Sequence, residues 1–356
     1  MSDDVVSASD TELLGALLLA QGLVLLGVAG VEADTSAHAA TYSERLSGGS
    51  FGTMAYLERH RALKYAPSLV VPGTRSLVIA GLSYFQPKPD RPHSANATGQ
   101  VARYAWGRDY HKVLLNKLQA VAADLQARFP GETFRSFTDT SPIDERFWAQ
   151  VAGGAFTARN TLSIHQELGS WFVLGEIFSS QQFVPSGRRP HVHGSCPSAC
   201  RRCVEVCPTG ALDGKGGIDA RKCLAYLTIE HRGPIALEFR EALGDRLFGC
   251  DLCQEVCPFN LKASPTIEAQ FLAWKAGSEL DLREILELKD EKQFTLRFGG
   301  SPVHRAGFQG LRRNACLVAG NLGAKSLEPV LARLAAEDDP VVAEAAEWAL
   351  ARWRLS

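Results

Sequence analysis

Eight of the nine cysteines in this chain of 356 residues lie between Cys196 and Cys257, and their spacing constrains the fold more than any other feature. The run Cys200-x2-Cys203-x3-Cys207-Pro208 is followed by Cys250-x2-Cys253-x3-Cys257-Pro258. Small secreted domains use cysteines as a disulfide scaffold. Short repeated spacings in a long chain instead point to metal ligation in a reducing compartment. In runs of this kind three close thiolates wrap one [4Fe–4S] cube, while the cysteine before proline reaches its neighbour.

The thiolate count then closes. Cys196 supplies the remaining ligand of the first run, although three residues rather than two separate it from Cys200. In the second run Leu247 stands where a cysteine is wanted, and Cys223 replaces it. The expected sets are Cys196, Cys200, Cys203 and Cys257 for one cube, and Cys207, Cys223, Cys250 and Cys253 for the other. Cys316 is left over in an apolar helical stretch. Thiolate sets also bind zinc, the competing reading. Two Cys-Pro endings with crossed spacing count against it.

The rest of the chain is too long for an electron carrier alone, and its patterning divides it in three. Residues 1–190 alternate strand-like runs (Leu69–Val71, Ser76–Tyr84, Trp171–Phe178) with helical stretches such as Lys112–Arg128, a mixed α/β pattern. Gln86–Gly99, rich in Pro, Asn and Ser, reads as a long loop. Residues 191–263 hold the cysteines, and Gly214–Gly217 reads as a turn. Residues 264–356 read as wholly helical. Leu280, Leu282, Ile285 and Leu286 line one helix, and Arg312–Gly323 with the following apolar stretch resembles one HEAT-like repeat of about 40 residues. The expected class is α+β. The apolar run Leu13–Val31 is long enough for a membrane span, but no Lys or Arg precedes it, so a short helix ending near Gly22 and a buried strand from Leu23 are expected.

Several ordered motifs carry a family resemblance. Arg103–Leu114 (RYAWGRDYHKVL), Thr138–Arg146 (TDTSPIDER), Ala158–Ile177 and the two cysteine runs resemble epoxyqueuosine reductases from about Phe51 to Asn260. The resemblance implies an oxidoreductase of the cytoplasm with cobalamin in the N-terminal domain, two [4Fe–4S] clusters, a tRNA substrate and an external one-electron donor of flavodoxin or ferredoxin type. The implied reaction removes the epoxide oxygen of epoxyqueuosine at the tRNA wobble position. Other cobalamin and iron–sulfur reductases, such as reductive dehalogenases, and a non-enzymatic electron-transfer module are the alternatives.

Opening an epoxide needs an acid beside the departing oxygen. The resemblance gives that role to Asp139, with burial expected to raise its pKa. From the residues alone Asp139 also reads as a helix N-cap ahead of Pro142 and Glu145. Asp109-x-His111 is reminiscent of a lower-ligand motif for cobalt, but Leu114 stands where its glycine would be, so His111 is expected to be exposed or hydrogen-bonded. Arg159, Asn160 and Thr161 suit corrin amide groups, Asp251 and Leu252 could set a cluster against the corrin, and Tyr226 and Glu230 are weaker candidates. The formal net charge of −1 excludes a globally basic nucleic-acid binder. A local patch remains: no acidic residue falls between Arg297 and Leu327, and Arg312 and Arg313 are the expected tRNA contacts, with Arg188, Arg189, Arg201 and Arg202 forming a second cluster.

Overall fold

The computed structural model describes residues 8–89, 97–139, 141–186 and 195–355. Its N-terminal part is built on a four-stranded sheet in the order Val24–Gly30, Ser76–Ser83, Phe172–Ser179, Phe134–Phe137, every pair antiparallel. Alternate side chains of these strands point to opposite faces. Val78, Ala80, Leu82 and Ile177 pack under the helices Ala8–Ala20 and Tyr110–Arg128, while Leu77, Ile79, Phe172 and Phe178 pack against the helix Glu145–Val151. Both faces are covered, which is why these strands read as continuous apolar runs rather than as alternating ones. At Gly175 a Cβ would come within 2.6 Å of Leu118, so glycine lets the long helix lie directly on the sheet.

Two expectations about local structure change. Leu69–Val71 is not a strand: Pro67 opens a short helix, Pro67–Val70, because proline's fixed φ suits the first helical turn. The region after Ser264 is not wholly helical either, since Glu279–Asp281 is a strand and carries Leu280. The apolar N-terminal run does form a helix and strand, Ala8–Ala20 and Val24–Gly30. Among the described residues no helix is long and apolar enough to cross a membrane.

The three sequence segments share their packing. A small sheet takes Thr98–Val101 from the first, Arg246–Phe248 from the second and Glu279–Asp281 from the third. The largest apolar core runs accordingly from Val101 and Trp106 through Leu247 to the packed helices Phe308–Leu322, Glu328–Leu334 and Pro340–Leu355. Leu247, the residue at the missing cysteine position, is fully buried in that core. The expected boundary at residue 190 lies outside the described residues.

Candidate functional site

The cysteine region is assembled by short local structure. Cys203 lies in the four-residue helix Arg202–Glu205 and Cys253 in its counterpart Leu252–Glu255. Cys223 follows the one-turn helix Ala220–Lys222. None of the nine cysteines forms a disulfide. Cys203 lies near enough to Cys196, Cys257 and Cys200 for their charges to raise its pKa, on top of burial. Cys223 is influenced in the same way by Cys207, and Cys253 by Cys250 and Cys223. The structure thus brings together Cys196, Cys200, Cys203 and Cys257 around an opening of about 310 Å³, and Cys207, Cys223, Cys250 and Cys253 beside them.

This donor set fits iron–sulfur cubes. The first four thiols stand around a space, and soft thiolate sulfur is the donor that such clusters take. Burial pushes the Cys250 thiol up to about 11. Thiols so placed are held as thiolates only beside a strongly cationic metal centre. Main-chain N–H groups already point at sulfur: Arg159 donates to Cys196 Sγ and Ala211 to Cys207 Sγ, both at 3.4 Å.

The residues expected near the corrin are used largely to brace these loops. The Arg159 guanidinium donates to the carbonyls of Pro197, Ser198 and Cys200. Asn160 Nδ2 donates to the Cys253 carbonyl. Asp251, next to Cys250, accepts from the Arg103 main chain at 2.8 Å and pairs with its guanidinium. Leu252 opens the short helix after it. Tyr226 is buried, its hydroxyl against Thr53. Two features nevertheless suit a polar ligand at the Arg159–Thr161 turn. Thr161 is held at φ 67°, and Ser163 Oγ, two residues on, is buried without a hydrogen-bond partner.

The second constellation surrounds Asp139 and comes from separate segments. Asp109 caps the helix Tyr110–Arg128 and accepts from His111 Nδ1 at 2.7 Å. The other ring nitrogen, Nε2, faces Asp139 Oδ2 at 3.2 Å, and the same oxygen accepts from Tyr110 Oη at 2.6 Å. His111 is therefore hydrogen-bonded between two carboxylates. Burial works against its charged form, but Asp109 and Asp139 overcome that and push its pKa up to about 9. Asp139 moves the opposite way from expectation. Burial would raise it, yet hydrogen bonds from His111 and Tyr110 hold it down at about 2. The proton at this site thus rests on His111. Asp139 is not a helix cap either: Asp144 caps Glu145–Val151.

Tyr104 feels charges of both constellations. It is packed at 6.0 Å from the Tyr110 ring, and its hydroxyl is raised by burial and then by the charges of Asp251 and Asp139. Tyr56 lies on another side, where the fields of Glu230, Arg305, Asp139 and Tyr226 reach it. Tyr110 and His111 were missed as partners of Asp139; only the Asp109-x-His111 spacing hinted at them.

The expected RNA contacts are corrected by burial. Arg313 is 1% exposed and donates to the carbonyls of Leu227, His231 and Gly233. Arg312 is 4% exposed, paired with Glu337 and stacked over Phe308. Both guanidinium groups serve the fold, leaving neither to meet a phosphate. In the same acid-free stretch Arg297 pairs with Glu284 and Arg305 with Glu230, acids supplied by other segments. Arg201 and Arg202 are exposed; Arg188 and Arg189 lie outside the described residues.

Residues 64–140 match the family model described as epoxyqueuosine reductase QueG, DUF1730, and residues 196–260 match that of a 4Fe-4S double cluster binding domain. The epoxyqueuosine reductase of Pseudomonas aeruginosa is 37% identical over 93% of this chain and 91% of its own. A solved epoxyqueuosine reductase with an epoxyqueuosine-modified tRNA-Tyr stem loop superposes with a TM-score of 0.87 at 26% identity, covering 97% of this chain and 90% of that one. The Bacillus subtilis enzyme, with its aspartate-bearing catalytic loop swung out of the active site, gives 0.85 at 26% identity over 96% and 91%.

Proposed function

That the chain belongs to the epoxyqueuosine reductase family is the premise from which we propose its reaction: two-electron removal of the epoxide oxygen from epoxyqueuosine in the tRNA wobble position, giving queuosine and water. The observation that carries this reading is the grouping of eight thiols four and four in a chain that also builds a hydrogen-bonded Asp139–His111–Tyr110 site. A simple electron carrier has no use for the second constellation.

The cysteines would hold two [4Fe–4S] clusters. The Thr161 turn and Ser163 would meet the carboxamides of a cobalamin, with Arg159, Asn160 and Asp251 one layer behind. When bound, these groups supply single electrons and a low-valent cobalt for the reduction. An outside donor of flavodoxin or ferredoxin type would load them.

The chain's own residues would handle the protons. Removing the oxygen as water consumes two. Asp139 Oδ2 lies between Tyr110 Oη and His111 Nε2, and its side chain is 56% exposed, so it can face a substrate. A proton held on His111 can pass through Asp139 to the oxygen as the carbon–oxygen bond breaks. The relatives' aspartate-bearing catalytic loop and modified stem-loop ligand support both the acid and the substrate. A tRNA surface built on Arg312 and Arg313 is not part of the reading.

The test is direct. Protein reconstituted anaerobically with iron, sulfide and cobalamin is given a chemical reductant and an epoxyqueuosine-bearing anticodon stem-loop. The expected product is lighter by one oxygen atom and appears only with cobalamin present. Full cluster content and reduction with no loss of oxygen from the stem-loop would overturn the assignment.

A further inference from the structure

Glu176 is an unusual residue for the middle of a covered sheet. It sits in the central strand Phe172–Ser179, opposite Ile79 on one side and Phe137 on the other, and is 1% exposed. Its side chain points to the face covered by the helix Glu145–Val151, and it meets the carboxyl of Glu145 there in a hydrogen-bonding contact. The Ser141 hydroxyl also hydrogen-bonds Glu176 and lowers its pKa, yet Oε1 is left with no N–H or O–H partner among the described residues. Two carboxylates cannot bond each other without a proton between them. The missing donor is supplied if the pair holds one.

Glu145 has a second contact. Its Oε1 accepts the main-chain N–H of Asp139. That residue has φ 47°, a left-handed conformation that a residue with a Cβ holds only when its surroundings impose it. Asp139 and Glu145 are thus tied to each other, and the Asp139 carboxyl is presented to His111 and Tyr110. Glu145 is in turn anchored on the sheet through Glu176.

We infer that Glu145 and Glu176 form a proton-sharing carboxyl pair that latches the Asp139 loop in place, making both glutamates positioning residues for the acid. The inference rests on the reading of Asp139 as that acid. With one proton between them the pair is bonded, and Glu145 keeps an oxygen for the Asp139 N–H. Loss of that proton leaves two buried negative charges in contact, with Asp139 a third nearby, and separation of the loop relieves the repulsion.

The surrounding charges decide where this happens. Burial is the largest influence on both groups, and Asp139 adds to it, so the Glu145 carboxyl is raised to about 8 and Glu176 well above the usual carboxylate range. Arg146 opposes the shift of Glu145. Among the described residues Lys64, near Asp144, Glu145 and Asp139, and Tyr110, which senses Glu145, also face the pair. Glu145, the less raised of the two, gives up its proton first, near about pH 8, and the pair keeps the single proton it shares until Glu176, raised well above that, loses it.

Hydrogen exchange of the full chain tests the latch without any turnover. After correction for base-catalysed intrinsic exchange, protection of the amides around Asp139 should persist in the wild type through about pH 8, because one proton stays on the pair. Glu145→Gln keeps an oxygen for the Asp139 N–H and offers Glu176 a permanent donor, so its protection should persist. Glu145→Ala should lose protection, by about tenfold or more, already at neutral pH. Equal protection across the pH range in wild type, Glu145→Gln and Glu145→Ala overturns the latch. The turnover profile separates this from the reaction itself. If Asp139 is the acid, Glu145→Gln should keep the wild-type alkaline limb, at about 9 where His111 loses its proton, while Glu145→Ala should turn over about tenfold more slowly or worse at neutral pH. A latch seen by exchange with wild-type turnover in Glu145→Ala upholds the latch and overturns the role given to Asp139.

Discussion

The cysteine region and the Asp139 region are both polar sites in an apolar frame, yet they are put together in opposite ways. The first draws its groups from one segment and needs only short helices and turns to aim them. Its contacts to the rest of the molecule are braces. Asn260, for example, accepts from the Ser170 main chain at 2.6 Å and donates to the Gln254 carbonyl at 2.8 Å. The second draws Asp109 and His111 from one helix start, Glu145 from another, Asp139 from the chain ahead of it, and Glu176 from a sheet centre. Each position there depends on the fold being complete. A site of the first kind tolerates changes elsewhere, whereas one of the second kind fails when any of several distant elements moves.

The largest effect should come from the second region. Asp139→Asn keeps the shape but cannot relay a proton, and turnover should fall by about 10²–10⁴-fold, the usual contribution of a positioned acid. Metal and cobalamin content should stay at wild-type levels. If iron is lost as well, the two regions are less independent than their construction implies.

A smaller effect is expected where the chain braces itself. Arg313→Met removes the donor to three carbonyls that stay buried, and should lower stability by about 3 kcal/mol in chemical denaturation. The salt dependence of stem-loop binding should not change. A normal stability with the slope of log affinity against log salt reduced by about one would return Arg313 to the RNA surface.

The smallest effect tests the first region from inside. Cys223→Ala should lower iron and sulfide per chain by up to one cube of two, leaving the Cys196, Cys200, Cys203 and Cys257 set filled. Unchanged iron would remove Cys223 from the ligand set and break the claim that spacing alone is a sufficient guide there.

What was legible followed this contrast. The thiol groups could be read because spacing along a chain sets spacing in a tight loop. The helix Tyr110–Arg128 and the central strands were readable for a similar reason, through their apolar runs. The arginine run was misread because a sequence shows which charges are close along the chain, and not which acids or carbonyls arrive from elsewhere. Glu337 for Arg312 and the Leu227 carbonyl for Arg313 are such arrivals. The Asp139 pKa was misjudged likewise: burial was foreseen, but the two donors that outweigh it were not.

By itself, then, the sequence determined the metal chemistry and the family, since both rest on groups a few residues apart or on long ordered motifs. Only the tertiary structure decided where the proton rests, which arginines are buried, and that Glu145 meets Glu176. Those outcomes depend on the local dielectric and on partners brought from distant segments, and charge interactions over a few ångströms change sign or size with both.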